Sequence, residues 1–426
     1  MVFCLMGLAC CVCSPEKAFG QEPFPPLSGQ VAWEDAMLGH WSRRKELAER
    51  GITFLGVNQT MGFGTAAGGI KRDFDPTNRA VLQFHFDLEK LFHWKGAEFL
   101  VSGAQVNGDN IGDDVGTPYD PTQIWEPDGP RVWEFYYGQF FVDKQVHLKI
   151  GRLNPSVLDF NLSPFQPGLA STAYDSSTAA LFQNYKGFGT EPIGQWGARL
   201  AIQPNGGDGY LRLGFYNAYP PVFVGPDALN RTSAGGLDLR FRPDKGALFI
   251  GEYGYRLNQD PEDSGLPGTY KIGFLYDTSP FDRLDVPDQT KRGLYGVYFN
   301  GYQMVYREEG AGQGSSQNDQ GLTLWGSFGL HPDQEIAAFP YFLSWGLTYQ
   351  GLFPGRDDDV LYFGNYYSFN SKYDPGNLQT QFEASYLFQI RPWFQIGPDL
   401  QYFIDPDGTG TIDNALVPGF QSLINF

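Results

Sequence analysis

The chain has 426 residues, 16% of them aromatic, with 54 Gly and 30 Pro but only 5 Met and 4 Cys. Aromatic residues and Gly are poor helix formers, and 42% hydrophobic residues can bury a large surface, so a helix-rich architecture and a disordered chain are both excluded. A net charge of −18 argues against nucleic acid, whose phosphates need a basic footprint, and no stretch approaches the roughly 18 apolar residues of a spanning helix, which leaves a spanning barrel open.

The chain starts with an apolar stretch holding all four cysteines, Cys4, Cys10, Cys11 and Cys13, and ending in Ala18-Phe19-Gly20, which resembles a signal-peptidase site. Residues 1–20 are expected to be an export signal, although no Lys or Arg precedes the apolar run. Without them the chain holds no cysteine, which suits an oxidising compartment. Residues 21–50 read as an extended linker and a short helix over 33–50, where Leu38, Trp41, Lys45 and Ala48 follow a 3.6 period and Gly51 closes it.

From Gly51 the period becomes two, and residues 51–426 read as one domain. Leu82, Phe84, Phe86 and Leu88 fall on one face and Gln83, His85, Asp87 and Glu89 on the other. Residues 381–390 and 394–405 repeat the pattern, as do 196–203, 211–216, 237–242 and 270–277. Pro-Asn-Gly-Gly-Asp at 204–208, Pro-Asp-Lys-Gly at 243–246 and Arg391-Pro392 supply turn chemistry. Short connections at 90–95 and 143–145 alternate with long ones at 106–130 and 154–193. Strands of about ten residues with that asymmetry predict an all-β fold, a transmembrane antiparallel β-barrel in the outer membrane. About seventeen segments can be marked, but such barrels hold an even number; sixteen strands are expected, with the surplus segment between 234 and 330. The chain ends in an alternating segment and Phe426, resembling the signal read by barrel-assembly machinery.

On such strands, charged residues on the polar face belong in the lumen, because Arg at the lipid midplane costs about 2–4 kcal/mol. This singles out Arg199, Arg212, Arg240, Arg242, Glu134, Glu383 and Asp399, with Gln401 on the same face. Arg forks and carboxylates suit sugar hydroxyls; equally, these charges can pair across the lumen and brace it. Loop 154–193, with Phe160, Phe165, Tyr174, Phe182 and Tyr185 as anchors, reads either as an inward-folded constriction or as an outer lid. The run from Asp405 to Asp413 opens like an EF-hand, but its twelfth position is Leu416, and a hairpin loop is the better reading. Arg356-Asp357-Asp358-Asp359 reads as a turn held by its own Arg, and Asp109, Asp113 and Asp114 as a solvated loop. Five histidines, His40, His85, His93, His147 and His331, show no metal-ligand spacing, and no nucleophile elbow or phosphate loop appears. No enzyme activity, metal or cofactor is expected.

Several segments together resemble the carbohydrate-selective porins of the OprB type. The approach to the first strand, Leu47-Ala48-Glu49-Arg50-Gly51-Ile52-Thr53-Phe54, is similar to theirs. So are Leu148-Lys149-Ile150-Gly151-Arg152-Leu153, Gln195-Trp196-Gly197-Ala198-Arg199, the hairpin at 86–97, and segments 267–273, 302–307, 351–359 and 398–402. Two features depart from that pattern: Gly39-His40-Trp41-Ser42-Arg43 replaces an acidic-Trp-Gly-Gly run, and loop 154–193 lacks cysteines. The resemblance implies passive diffusion of small neutral sugars through a sixteen-stranded barrel, with outer-membrane lipid and lipopolysaccharide as its surroundings. Alternatives are a general or ion-selective porin and a closed structural barrel. Monomer and homotrimer both remain open.

Overall fold

A computed structural model describes residues 34–156, 159–161, 168–174, 183–185, 188–189, 191–204, 207–218, 239–259, 263–308 and 320–426. The expected signal segment and linker lie outside these residues. The strands are β1 (Ile52–Gly64), β2 (Phe74–Asp87), β3 (Ala97–Gly108), β4 (Gly129–Phe141), β5 (Val146–Leu153), β6 (Gln195–Ile202), β7 (Gly209–Asn217) and β8 (Ala247–Leu257). They continue as β9 (Gly268–Asp282), β10 (Thr290–Arg307), β11 (Gly321–Leu330), β12 (Tyr341–Gln350), β13 (Val360–Phe369), β14 (Leu378–Arg391), β15 (Phe394–Ile404) and β16 (Ala415–Asn425). Each pairs with its sequence neighbours, and β1 closes on β16 from Val57↔Asn425 to Phe63↔Gly419. The expected sixteen-stranded antiparallel barrel is the observed one. Closure gives every strand two partners, the condition for a sheet in hydrocarbon, and Phe426 completes the seam by donating its N–H to Gly56 O at 2.7 Å.

The barrel is inside-out relative to a soluble protein. Arg79, Gln83 and His85 of β2 are buried towards the lumen, while Leu82 between them is 47% exposed on the outer face. Residues 381–390 and 394–404 divide as the alternation predicts, with Gln381, Glu383, Ser385, Gln395, Asp399 and Gln401 inside. One bulge changes that rule. Between Val101↔Phe135 and Gly103↔Val132 the register slips, so Trp133 and Glu134 both lie opposite Ser102 and both turn inward. Glu134 N–H donates to Ser102 Oγ at 3.1 Å, fixing the bulge.

Three expectations need correction. The helix is α1 (Ser42–Glu49), not 33–50. Residues 34–40 form turns, with Gly39 among them a weak helix former, and Met37 N–H is drawn to Asn425 O at 2.9 Å. The alternation through 81–89 also stops early. Asp87 Oδ1 accepts from Glu89 and Lys90 N–H at 3.0 Å each, starting α2 (Leu88–Phe92), so Leu88 and Glu89 are helical. The surplus strand is 237–242. Residues 239–242 are not strand and lead into a 3-10 turn over Pro243–Lys245, while 237–238 lie outside the described residues. The strand of this region is β8, which begins after that turn.

Candidate functional site

Connections at the ends opposite the chain termini fold back into the lumen. The connection between β5 and β6 is gripped at several of its described stretches. At its start, Asn154 N–H donates to Glu134 Oε1 at 2.8 Å, an acceptor that the β4 bulge turned inward. Five residues on, Asp159 is the centre of an ionic node. Its Oδ1 accepts from Arg199 Nε at 2.9 Å and from Lys149 Nζ at 3.2 Å, and its carbonyl accepts from Arg212 Nη1 at 2.8 Å. Burial opposes the Asp159 carboxylate, but Arg199, Lys149 and Arg212 outweigh it and hold its pKa at about 2. Beside this node, Glu252 Oε2 accepts from Asn161 N–H at 2.7 Å and from Tyr298 Oη at 2.5 Å, and Arg212 Nη1 lies 3.8 Å from Glu252 Oε1.

Residues 168–171 reach the other side of the barrel. Glu383 accepts from the backbone N–H of Ala170 and, at 3.3 Å, from that of Ser171. Gln421 Nε2 donates to Gly168 O at 2.7 Å and to Asp399 Oδ2 at 3.3 Å. The approach is close enough to demand glycine, since a Cβ on Gly168 would lie 2.1 Å from the Tyr362 ring. Near the end of the connection, Glu191 pairs with Arg79 at 2.8 Å. The β3–β4 connection, which includes the short helix α3 (Ile111–Val115), enters as well. Gln401 Nε2 donates to Pro121 O at 2.9 Å, Tyr119 Oη meets Ser368 Oγ at 2.8 Å, and the Tyr119 ring packs on Phe339, Phe342 and Tyr366. Thr172 N–H donates to Asp120 O at 2.8 Å, joining the two connections. Of the five aromatic anchors, Phe160, Tyr174 and Tyr185 are buried inside, and Phe165 and Phe182 lie outside the described residues.

Six of the eight residues singled out by sequence therefore face the lumen, in two groups: Glu134, Arg199 and Arg212 on β4–β7, and Glu383, Asp399 and Gln401 on β14–β15. Arg240 and Arg242 join neither. Arg240 is exposed, and Arg242 is chelated by Asp244 at 3.0 and 3.1 Å, outside any strand. Alternation missed Asp159, Lys149, Glu252, Arg79, Glu191 and Gln421. Lys149 and Glu252 had a signal, since each is followed by an outward apolar residue, Ile150 and Tyr253. Asp159 and Glu191, on a connection, had none.

His85 and His147 flank Glu98, with Nε2–O distances of 3.0 and 3.1 Å. Asp405–Asp413 connects β15 to β16 as a hairpin loop: Asp405 Oδ1 accepts from Gly410 N–H at 2.7 Å and Asp407 Oδ1 from Thr409 N–H at 2.9 Å. Arg356 chelates Asp359 at 2.6 and 2.7 Å, as the turn reading expects. Asp114 is not solvated. It is 9% exposed and shares Lys71 with Asp73, at 3.7 and 2.5 Å.

Residues 71–426 match the family described as "Carbohydrate-selective porin, OprB family". Porin B of Pseudomonas aeruginosa is 26% identical over 456 aligned positions, which cover 95% of this chain and 93% of that one. The high-pH structure of Pseudomonas putida OprB superposes with a TM-score of 0.80 at 22% identity, covering 93% of this chain and 100% of that one. The low-pH structure of the same protein gives 0.58 at 20% identity over 92% and 98%. With a closed sixteen-stranded barrel, a polar lumen and a family match over most of its length, the chain belongs to the carbohydrate-selective porins of the OprB family, channels of the bacterial outer membrane.

Proposed function

We propose that the inward-held stretches 154–156, 159–161 and 168–171 of the β5–β6 connection form the constriction through which sugars pass, and that the lumen residues act chiefly as its frame. The observation that carries this reading is the repeated use of a wall carboxylate to accept loop backbone N–H groups: Glu134 at Asn154, Glu252 at Asn161, Glu383 at Ala170 and Ser171. A selective pore needs a narrow waist whose polar groups exchange for sugar hydration and release it again; fixed loop segments supply the waist without any reaction. Arg199 and Arg212 then hold Asp159 in place and present guanidinium edges to hydroxyls passing the node. Glu134 sets the start of the connection and Glu383 its stretch 170–171, Asp399 orients the Gln421 that holds Gly168, and Gln401 holds Pro121 of the β3–β4 connection. No catalytic step is part of this function.

In the same reading, residues 1–20 are removed on export, 21–50 form the periplasmic lead-in with α1, and 51–426 form the pore, working as a monomer or a homotrimer. Single-channel recording tests it: glucose and maltose should block conductance saturably, and Arg199→Ala should shift the half-blocking concentration. Conductance indifferent to both sugars would move this chain to general or ion-selective transport.

A further inference from the structure

We infer that Asp73, Asp75 and Asp114 form a binding site for a hard divalent cation, at the joint between the β1–β2 and β3–β4 connections. Asp73 and Asp75 flank Phe74, the first residue of β2, and Asp114 lies in α3. One carboxylate oxygen from each lies within 4.8 Å of the other two. The backbone brings them together. Asp114 O accepts from Ile70 and Lys71 N–H at 2.8 and 3.0 Å, and Thr65 N–H donates to Asp73 O at 3.0 Å. The turn approaches α3 so closely that a Cβ on Gly69 would lie 2.9 Å from Asp114 O.

A carboxylate oxygen withdrawn from water is costly unless a donor or a cation replaces the water, and Asp114 is in that position. It is 9% exposed, and its Oδ2 is shielded from solvent with no hydrogen-bond donor in reach among the described residues. The nearest ammonium, Lys71 Nζ, stands 3.7 Å from that oxygen and is bonded to Asp73 at 2.5 Å. Thr65, 3% exposed at the same joint, holds a second orphan, a hydroxyl with no partner among the described residues. Three carboxylates against one ammonium leave a net charge of −2, which a divalent ion offsets. Oxygen donors with no His or Cys among them suit a hard ion. Ligands drawn from two separate connections suit calcium better than magnesium, which demands a near-ideal octahedron. Lys71 is 60% exposed, so its side chain can move into solvent as the ion enters. Bound there, the ion ties the β1–β2 turn to the root of the connection that carries Tyr119 and Pro121 into the lumen.

The site stands apart from sugar transport, so its test reads binding and not conductance. Calcium chloride alone is titrated into the full-length protein, freed of lipopolysaccharide and stripped of metal with EDTA, and bound ion is counted by equilibrium dialysis. The expected result is one ion per chain, half-saturated at about 0.1–1 mM as in extracellular oxygen sites, and lost in Asp75→Asn/Asp114→Asn. Lys71→Ala removes the competing ammonium and should lower the half-saturating concentration several-fold. Asp405→Asn/Asp407→Asn should leave binding unchanged. A wild type that binds no calcium up to about 10 mM, well above that range, would overturn the site, as would binding retained in Asp75→Asn/Asp114→Asn. Binding lost in Asp405→Asn/Asp407→Asn would place the ion in the β15–β16 loop and overturn it equally. Should the Asp75→Asn/Asp114→Asn variant fail to fold, Lys71→Ala still decides, because an unchanged or weaker affinity there contradicts a site that Lys71 contests.

Discussion

Where β5–β8 meet residues 154–161, the grip is ionic: Asp159 is held by Lys149, Arg199 and Arg212, with Glu252 behind them. Where β14–β16 meet residues 168–171, the described contacts hold no cation; Glu383 accepts the Ala170 and Ser171 N–H groups, and Gln421, itself held by Asp399, donates to Gly168 O. Both stretches of the connection are fixed, but their failure modes differ. A buried ionic node broken at one member leaves opposite charges stranded, whereas a lost backbone acceptor leaves only neutral N–H groups without a partner. The ionic side should therefore be the brittle one and the amide side the adjustable one.

Asp159→Ala should have the largest effect, because two buried cations, Lys149 and Arg199, lose their shared carboxylate, while Arg212 keeps the residue 159 carbonyl. It should cost about 3–5 kcal/mol, read as an earlier thermal transition, and should weaken glucose block as the loop loosens. Glu383→Ala should cost less, about 1–3 kcal/mol, with Glu383→Gln restoring much of it because an amide oxygen still accepts. If Gln behaves like Ala in a melting experiment, the contact depends on charge and the contrast between the two sides fails. Gly168→Ala drives a methyl into the Tyr362 ring and should cost about 1–3 kcal/mol, with Tyr362→Ala as a partial suppressor in the double variant.

A smaller effect concerns pH. Burial pushes Asp120 up to about 7, and its backbone carbonyl joins the two inserted connections at Thr172. A raised carboxyl takes up a proton on folding. Its contribution is complete below the ordinary value of about 3.9 and is lost as pH rises through about 7. Conductance noise should grow across that window in the wild type and stay flat in Asp120→Asn. Smallest of all, Arg240→Ala and Arg242→Ala should leave sugar block unchanged, since neither side chain is on a strand facing the lumen. A changed block would return both to the pathway.

The barrel was legible in the sequence because side-chain alternation has a period of two, and the two environments, lipid and lumen, select opposite chemistries at successive residues. Residues 381–390 and 394–404 show this directly. The same rule misread 237–242, where Leu-Asp-Leu-Arg-Phe-Arg alternates as well as β8 does; alternation reports a possible face and not a partner strand. It also carried the pattern through Leu88 and Glu89, where the Asp87 cap turns the chain into a helix. The loop was less legible. Its length and aromatic residues allowed an inward fold, but its anchors lie far away in sequence: Ala170 and Glu383 are separated by 213 residues, Pro121 and Gln401 by 280. No local pattern encodes such a contact. Glu134 was picked as a polar-face charge, yet it faces inward through a bulge.

The most direct test is single-channel conductance of the full-length chain titrated with glucose, recorded side by side for wild type and Asp159→Asn. A framed constriction predicts saturable block in the wild type and markedly weaker block, with larger open-channel current, in the variant. Equal block and equal current in the two would contradict the idea that the Asp159 node holds the loop that selects sugar.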